Sequence, residues 1–279
     1  MKTNSKILIA KIIFKTLVFF KFKKNIFTRR GSINWNLDIS EGIDLSIFLV
    51  GSFQGNIVKS ITNFIFKIKK EKTFFYVIDI GSNIGDKSLS LTKKLLDKNF
   101  NDFKIFSIEP TDFAFKKQIK NINLNPILKK KISIFKYYIS SNKFKPKEIY
   151  SSWKLEDSHN AHKTHQGLLK KINRSTKPIS LDKFIKNNKI KNQIILKIDV
   201  DGFEMDILKS CKETLKKYNP IIFMEYAPYA LKEHGSSVKK FNQFLKKYKY
   251  QKFDLNFNKL RHIKIVDGSS KDIVLIKNK

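Results

Sequence analysis

From about residue 74 onward, two patterns of apolar residues alternate along the chain. Short, nearly continuous apolar runs rich in Ile, Val and Phe occupy positions 74–80, 104–108, 132–139, 194–198 and 221–225. Runs of that length and make-up read as strands buried on both faces, as in a parallel sheet. Between and after them the apolar positions recur every third or fourth residue, which predicts helices over 86–98, 111–123, 204–217 and 236–248. Two more strands, near 251–255 and 272–277, close the series as a hairpin or an antiparallel addition. Strands alternating with helices predict an α/β fold with a doubly wound sheet of seven strands. Ser180, before LDKFIKNN, and Thr111 with Asp112 are the expected helix caps.

Residues 1–67 precede this alternation as an N-terminal extension. In KILIAKIIFKTLVFFKFKKNIF, residues 6–27, lysines at 6, 11, 15, 21, 23 and 24 interrupt the apolar positions. No run therefore approaches the ~20 residues of a spanning helix. A signal peptide's unbroken apolar centre and small-residue cleavage site are also missing. The segment reads either as a basic amphipathic helix making peripheral contact with an anionic membrane face, or as a helix packing its apolar side on the domain. A short strand at 35–38, an apolar run at 47–50 and a helix at 56–67 follow. The acids Asp38, Glu41 and Asp44 either solvate a loop or belong to a pocket wall.

The remaining residues, 68–279, form the main domain, interrupted by an insertion at about 140–178. That stretch is too long and polar for a routine connection. It carries His159, His162 and His165 beside Trp153, Glu156 and Asp157. It reads as a cap over the substrate that supplies a base, as a metal site, or as a solvated loop.

The candidate chemistry starts in FFYVIDIGSNIGD, residues 74–86, where a buried strand runs through Asp79 into a turn that reads D-x-G-x-N-x-G. Gly81, Ser82, Asn83 and Gly85 form that turn, and glycine there permits close backbone approach to a ligand. Glu109 and Pro110 end the second strand, where a doubly wound fold places the carboxylate that accepts hydrogen bonds from ribose hydroxyls. The three-glycine dinucleotide spacing is absent, and an acid at the head of the turn suits a cofactor with a positive amino group. S-adenosylmethionine, with its ammonium, sulfonium and ribose, fits that description. Tyr137 or Tyr138, near the end of the third strand, is placed to lie beside its adenine.

Charge alters this picture little. The formal net charge is +33, but only four of the 57 basic residues are Arg, and the lysines are spread along the whole chain. Base readout and phosphate clamping favour the planar fork of Arg. Specific nucleic-acid binding is therefore not expected, although general attraction to anionic surfaces is. The single cysteine, Cys211, excludes an internal disulfide framework and fits a reducing, cytoplasmic setting, with peripheral contact at the inner membrane face as an option.

VIDIGSNIGD, the SIEP segment, SLDKFI, LKIDVDGFEMDILK and IIFMEY, in that order, resemble the FkbM-type methyltransferase family. The upstream stretch INWNLDISEGIDLSIFLVGSFQ is similar to the lead-in of many members. The resemblance implies a Rossmann-like methyltransferase sheet, S-adenosylmethionine as methyl donor, and a hydroxyl of a sugar, glycan precursor or other small metabolite as acceptor. The acids Asp199, Asp201, Glu204 and Glu225 fall at or just beyond strand ends, where the acceptor should sit. Asp199 is the expected site acid, as base or orienter, with Glu204, His162 and His165 as further catalytic candidates. Clustered carboxylates could instead hold a divalent cation, which is the less favoured reading. A nucleic-acid methyltransferase and a non-catalytic membrane-surface protein are the rival readings. The first lacks the Asn/Asp-Pro-Pro-aromatic motif at the fourth strand tip, and the intact glycine turn speaks against the second.

Overall fold

The protein is described here by a computed structural model covering residues 3–70, 73–141, 146–156, 167–191, 193–263, 265–266 and 268–278. Its central sheet has strands β1 Phe75–Ile80, β2 Phe103–Ile108, β3 Ile132–Phe135, β4 Gln193–Ile198, β5 Ile221–Tyr226, β6 Tyr250–Phe253 and β7 Lys271–Lys277. Their order across the sheet is β6-β7-β5-β4-β1-β2-β3. The five strands from β5 to β3 are parallel, and β7 runs antiparallel to both of its neighbours. The last pair is thus the antiparallel addition expected from the sequence. From β1 the chain winds outward to β3 and then returns to the other side of β1 as β4. The order reverses between β1 and β4, and ligands bind in the crevice outside the strand ends at such a point.

Both faces of the sheet are covered. Ile78 and Ile80 of β1, with Leu196 and Ile198 of β4, pack with Leu181, Phe184, Met205, Leu208 and Phe241 in one core. Phe75, Val77 and Ile195 pack on the opposite side with Trp35, Ile61, Phe64, Leu89 and Leu95. The alternation along each strand is the period of two that a sheet imposes. Residues 33–68 share this second core with the sheet, so the front of the chain is packed into the domain.

Several elements differ from the sequence reading. The third strand stops at Phe135. After Lys136, Tyr137–Ile139 leaves the main sheet and pairs in parallel with Lys177–Ile179. The helix expected over 204–217 is two helices, Glu204–Lys209 and Lys212–Lys217, with buried Cys211 at the junction. Ser180 caps the helix Leu181–Asn187 by accepting from the Lys183 N–H at 3.2 Å. Thr111 precedes the helix Asp112–Asn123, but its hydroxyl donates to Glu109 instead.

At the front, the helix Thr3–Phe19 leads into a hairpin of Asn25–Arg30 with Ile33–Asp38, whose first strand the sequence reading missed. Gly31 and Ser32 form its two-residue turn with φ of 57° and 60°, as a type I′ hairpin turn requires. The apolar run at 47–50 belongs to the helix Gly42–Val50. Glu41 and Asp44 solvate no loop, whereas Asp38 accepts from the Ser40 N–H and hydroxyl within its own turn. Asp44 is buried against Lys117, and Glu41 lies 3.2 Å from Lys154 of the insertion. Burial pushes the Asp44 carboxyl up to about 6, against the pull of Lys117.

The described part of the insertion is a second hairpin, Glu148–Trp153 with Gly167–Lys171. Lys24 and Glu156 tie it to the front of the chain at 2.6 Å. Among the described residues no helix is long and apolar enough to cross a membrane.

The packing of β1 against β4 places one strict demand on the sequence. Gly81 has φ +75°, and a Cβ there would lie 2.0 Å from the Asp199 carbonyl oxygen. Gly81→Ala must push the two strand tips apart, and it is expected to destabilise the fold by about 2–4 kcal/mol. Urea denaturation measures this, and an unchanged midpoint would show that the tips move freely.

Candidate active site

The site begins with a charge pair inside the sheet. Lys197 of β4 and Asp79 of β1 are direct cross-strand partners, both buried, with the ammonium 3.1 Å from Asp79 Oδ1. The same ammonium donates to the Gly81 carbonyl at 3.1 Å and stands 3.5 Å from Asp199 Oδ2. Burial alone would lower the lysine pKa, but Asp79 and Asp199 hold it above the ordinary value. One cation therefore joins the two central strand tips, the glycine turn and the foremost candidate acid.

A chain of donors fixes the other oxygen of Asp79. Ser88 Oγ donates to Asp79 Oδ2 at 2.7 Å and lies 2.7 Å from Ser107 Oγ. Gln118 Nε2 donates to Ser107 Oγ at 2.6 Å and also to Ser82 Oγ. Each hydroxyl can pass its proton's bond toward the carboxylate, so the bonds reinforce one another in this dry setting. Their effect is to brace the turn Gly81–Gly85 from beneath. Asp79 Oδ1 lies within ion-pair reach of Lys197, yet among the described residues no donor meets it with hydrogen-bond geometry.

Glu109, at the tip of β2, is nearly buried. Its Oε2 accepts from the Asn83 N–H at 3.0 Å, and its Oε1 accepts from the Thr111 N–H at 3.0 Å and hydroxyl at 2.6 Å. Burial raises its pKa and these bonds partly offset the rise. Of the roughly four acceptor positions of a carboxylate, three are filled from within, leaving about one for a ligand. The two ribose bonds expected of this residue are thus more than its free capacity.

Two cavities open at this end of the sheet. The smaller, about 170 Å³, is bordered by Glu109, Pro110, Tyr137, Tyr138, Phe203 and His234. Burial raises the Tyr138 phenol, so it stays protonated. The larger, about 590 Å³, holds Lys197, Glu225, Tyr229 and Asp272, walled by residues of the helices Thr3–Phe19 and Gly42–Val50. The two share Gly81, Asn83, Asp199 and Asp201. A ligand lying across those four residues would reach into both.

The larger cavity is lined by both carboxylates and lysines, Asp86, Asp199, Asp201, Glu225 and Asp272 beside Lys6, Lys87, Lys197 and Lys271. Glu225 is cross-strand from Asp272 and accepts from Ser270 Oγ. Burial, then the charge of Asp199, raises Glu225 well above an ordinary carboxyl. Burial and Asp199 likewise push Asp272 up to about 6. Asp201, in a left-handed conformation with φ 49°, is raised by the protein around it and then by Asp199 and Glu204. Its side chain still meets solvent, which limits that rise. Asp199 itself is 26% exposed. Among the described residues no three His, Cys, Asp or Glu side chains converge as a metal site.

The sequence candidates separate accordingly. Gly81, Asn83, Glu109, Pro110 and Tyr138 border the smaller cavity, Ser82 borders the larger, and Asp199 borders both. Asp79 and Gly85 border neither; they hold the turn from behind. Glu204 borders neither cavity, and its buried Oε1 accepts from the Val200 and Gly202 N–H groups at 3.3 and 3.2 Å. His162 and His165, with His159, lie outside the described residues. The described insertion residues Glu148, Tyr150 and Lys170 border the smaller cavity, so this part of the insertion does not cap the larger one.

Lys197 and His234 were missed. Lys197 carried a signal, as a lone lysine inside an otherwise apolar buried strand. His234 carried none, because its ring meets Phe203, 3.9 Å between centroids, only through the fold.

These residues fit S-adenosylmethionine. The turn leaves Gly81 no room for a Cβ, Glu109 keeps acceptor capacity beside an aromatic-walled cavity, and Asp199 and Asp201 offer negative charge to an ammonium and a sulfonium.

Lys197→Met would strand Asp79 as a buried, unpaired charge, at an expected loss of about 3–5 kcal/mol. Asp79→Asn/Lys197→Met should recover much of that loss. Denaturant titrations of the two single variants and the double variant measure the coupling, and simple additivity would mean the pair does not act as a unit.

Comparison with known proteins bears on the chemistry. No curated protein sequence matches the chain. Among solved structures, one described as an rRNA methylase from Clostridium thermocellum is 12% identical, over 80% of this chain and 97% of that one, with a TM-score of 0.44. A methyltransferase FkbM from Methylobacillus flagellatus is 15% identical over 74% of this chain and 45% of that one, TM-score 0.43. Magnesium protoporphyrin IX methyltransferase from Synechocystis, with S-adenosylhomocysteine bound, is 8% identical over 79% and 82%, TM-score 0.41. These likenesses are weak, and the assignment rests on the sequence of the domain itself. Residues 79–252 match the model of the methyltransferase FkbM domain, and the chain belongs to the FkbM methyltransferase family.

Proposed function

We propose that the protein is an O-methyltransferase that uses S-adenosylmethionine to methylate a hydroxyl of a sugar, glycan precursor or similar polyol. The observation that carries this reading is the meeting of the two cavities on Gly81, Asn83, Asp199 and Asp201. The smaller cavity suits the adenosine end of the cofactor, with Glu109 accepting from the ribose and Tyr138 beside the base. The larger cavity suits the acceptor, because carboxylates such as Asp199 and Glu225 on its wall can accept hydrogen bonds from hydroxyl groups.

When bound, the cofactor supplies an activated methyl group on its sulfonium. The chain has to align the acceptor oxygen and take up its proton. Asp199, at the junction, accepts the hydrogen bond from the reacting hydroxyl and so sets its direction of approach. Lys197 positions that carboxylate through its contact at 3.5 Å. The proton released on transfer passes to the Asp199 carboxylate that accepts this hydrogen bond.

Two measurements test the reading. Calorimetry with S-adenosylmethionine should show Glu109→Ala binding more weakly by about 1.5–3 kcal/mol, the scale of a hydrogen bond to a charged group. Unchanged affinity in a folded variant removes Glu109 from the site. Radiolabelled methyl transfer to a panel of glycan precursors and polyols should fall by about 10²–10⁴-fold in Asp199→Asn. Transfer that survives the substitution excludes Asp199 from the chemistry. Loss with EDTA and recovery with magnesium would assign the acids to a cation, and label entering RNA alone would overturn the acceptor class.

A further inference from the structure

The helix Thr3–Phe19 carries two apolar faces, of which the domain uses one. Ala10, Ile13, Phe14 and Leu17 pack with Ile39, Leu45 and Leu155, and Ile7 on the same side is buried. Each residue turns a helix by about 100°, so these five share one side. Leu8, Ile9, Ile12 and Phe19 point the opposite way and lie open, Leu8 at 61% and Phe19 at 80% exposure. Phe20 and Phe22, just beyond the helix, are exposed as well.

Positive charge borders one edge and the end of this open strip. The first 37 residues contain nine basic side chains and no acidic one, Asp38 being the first acid in the chain. Lys11 and Lys15 fall along one edge of the strip, while Lys21 and Lys23 follow its end and Lys24, next to them, is paired with Glu156. Long basic side chains flanking an apolar strip can reach outward to anionic headgroups while the strip enters the acyl boundary.

The strip is continuous with the mouth of the larger cavity. Ile9 belongs to both, and Leu49 and Val50 of the neighbouring helix line the same cavity while standing exposed, Val50 at 74%. We propose that this face docks on an anionic lipid bilayer, with the larger cavity opening toward the leaflet. The charge complement selects the bilayer, and continuity with the rim sets the orientation. An acceptor whose hydroxylated head is anchored by an apolar tail would then enter from the leaflet, a consequence that rests on the methyltransferase reading above.

The full-length protein should co-sediment with vesicles of phosphatidylcholine and phosphatidylglycerol at least about tenfold more strongly than with phosphatidylcholine alone, and salt should weaken the binding. Lys21→Ala/Lys23→Ala should bind about 25-fold more weakly, about fivefold for each lysine. Phe19→Ser/Phe20→Ser should also release the protein, with the thermal midpoint unchanged because both side chains are exposed. The native cysteine is buried, so a polarity-sensitive dye placed on Val50→Cys reports the rim alone, and its emission should shift to the blue on anionic vesicles.

Failure of the folded protein to bind anionic vesicles overturns the proposal. So does vesicle binding without a shift at position 50. Self-association in the absence of lipid that Phe19→Ser/Phe20→Ser abolishes would instead make the strip an interface between two copies. Cofactor calorimetry without vesicles tests the methyltransferase reading separately.

Discussion

The structure turns on one buried ammonium. Lys197 sits where the two central parallel strands end, and it binds the Asp79 carboxylate, the Gly81 carbonyl and the Asp199 carboxylate together. Taking such charges out of water is expensive, and the cost is offset only when each has close partners. The geometry follows from that condition. The tips of β1 and β4 must come close enough to share the ammonium, and at that distance position 81 has no space for a side chain. The glycine of the turn and the lysine of the strand are two expressions of the same approach.

The elements around the sheet divide the labour in an order the chain does not announce. The cation and the Ser88–Ser107–Gln118 chain hold the turn from below. Glu109 ties the turn to the tip of β2 through the Asn83 N–H, at the edge of the smaller cavity. The front of the chain walls the larger cavity, whereas the described part of the insertion walls the smaller. The pair of Asp44 with Lys117 locks the front to the sheet domain, and the pair of Glu41 with Lys154 joins the front to the insertion. Acids that look like loop solvation in the sequence are thus the joints between layers.

The larger cavity combines carboxylates and lysines with an apolar wall. Burial and the nearby charge of Asp199 raise the proton affinity of Glu225 and Asp272. The wall comes from helices whose outer sides remain apolar and basic. Recognition of hydroxyl groups and contact with a lipid surface would therefore lie on the same side of the molecule.

By itself the sequence determined the alternation of strands and helices, the antiparallel ending, the glycine turn and the acids at the strand tips. These depend on short-range chemistry: a run of β-branched residues, a helical period, a residue without a Cβ. What only the tertiary structure decided depends on partners distant in the chain. The period of ISIFKYYI is unbroken, yet it changes partner at Lys136, because pairing with Lys177–Ile179 is a matter of space. Glu204 reads as a site acid in the sequence, and the fold turns its carboxylate onto the backbone of its own loop. Lys197 was visible as an oddity in an apolar strand, but its role appeared only when Asp79, 118 positions earlier, lay opposite it across the sheet. A charge can remain inside a protein only beside its counter-charge, and where that counter-charge lies is a property of the fold.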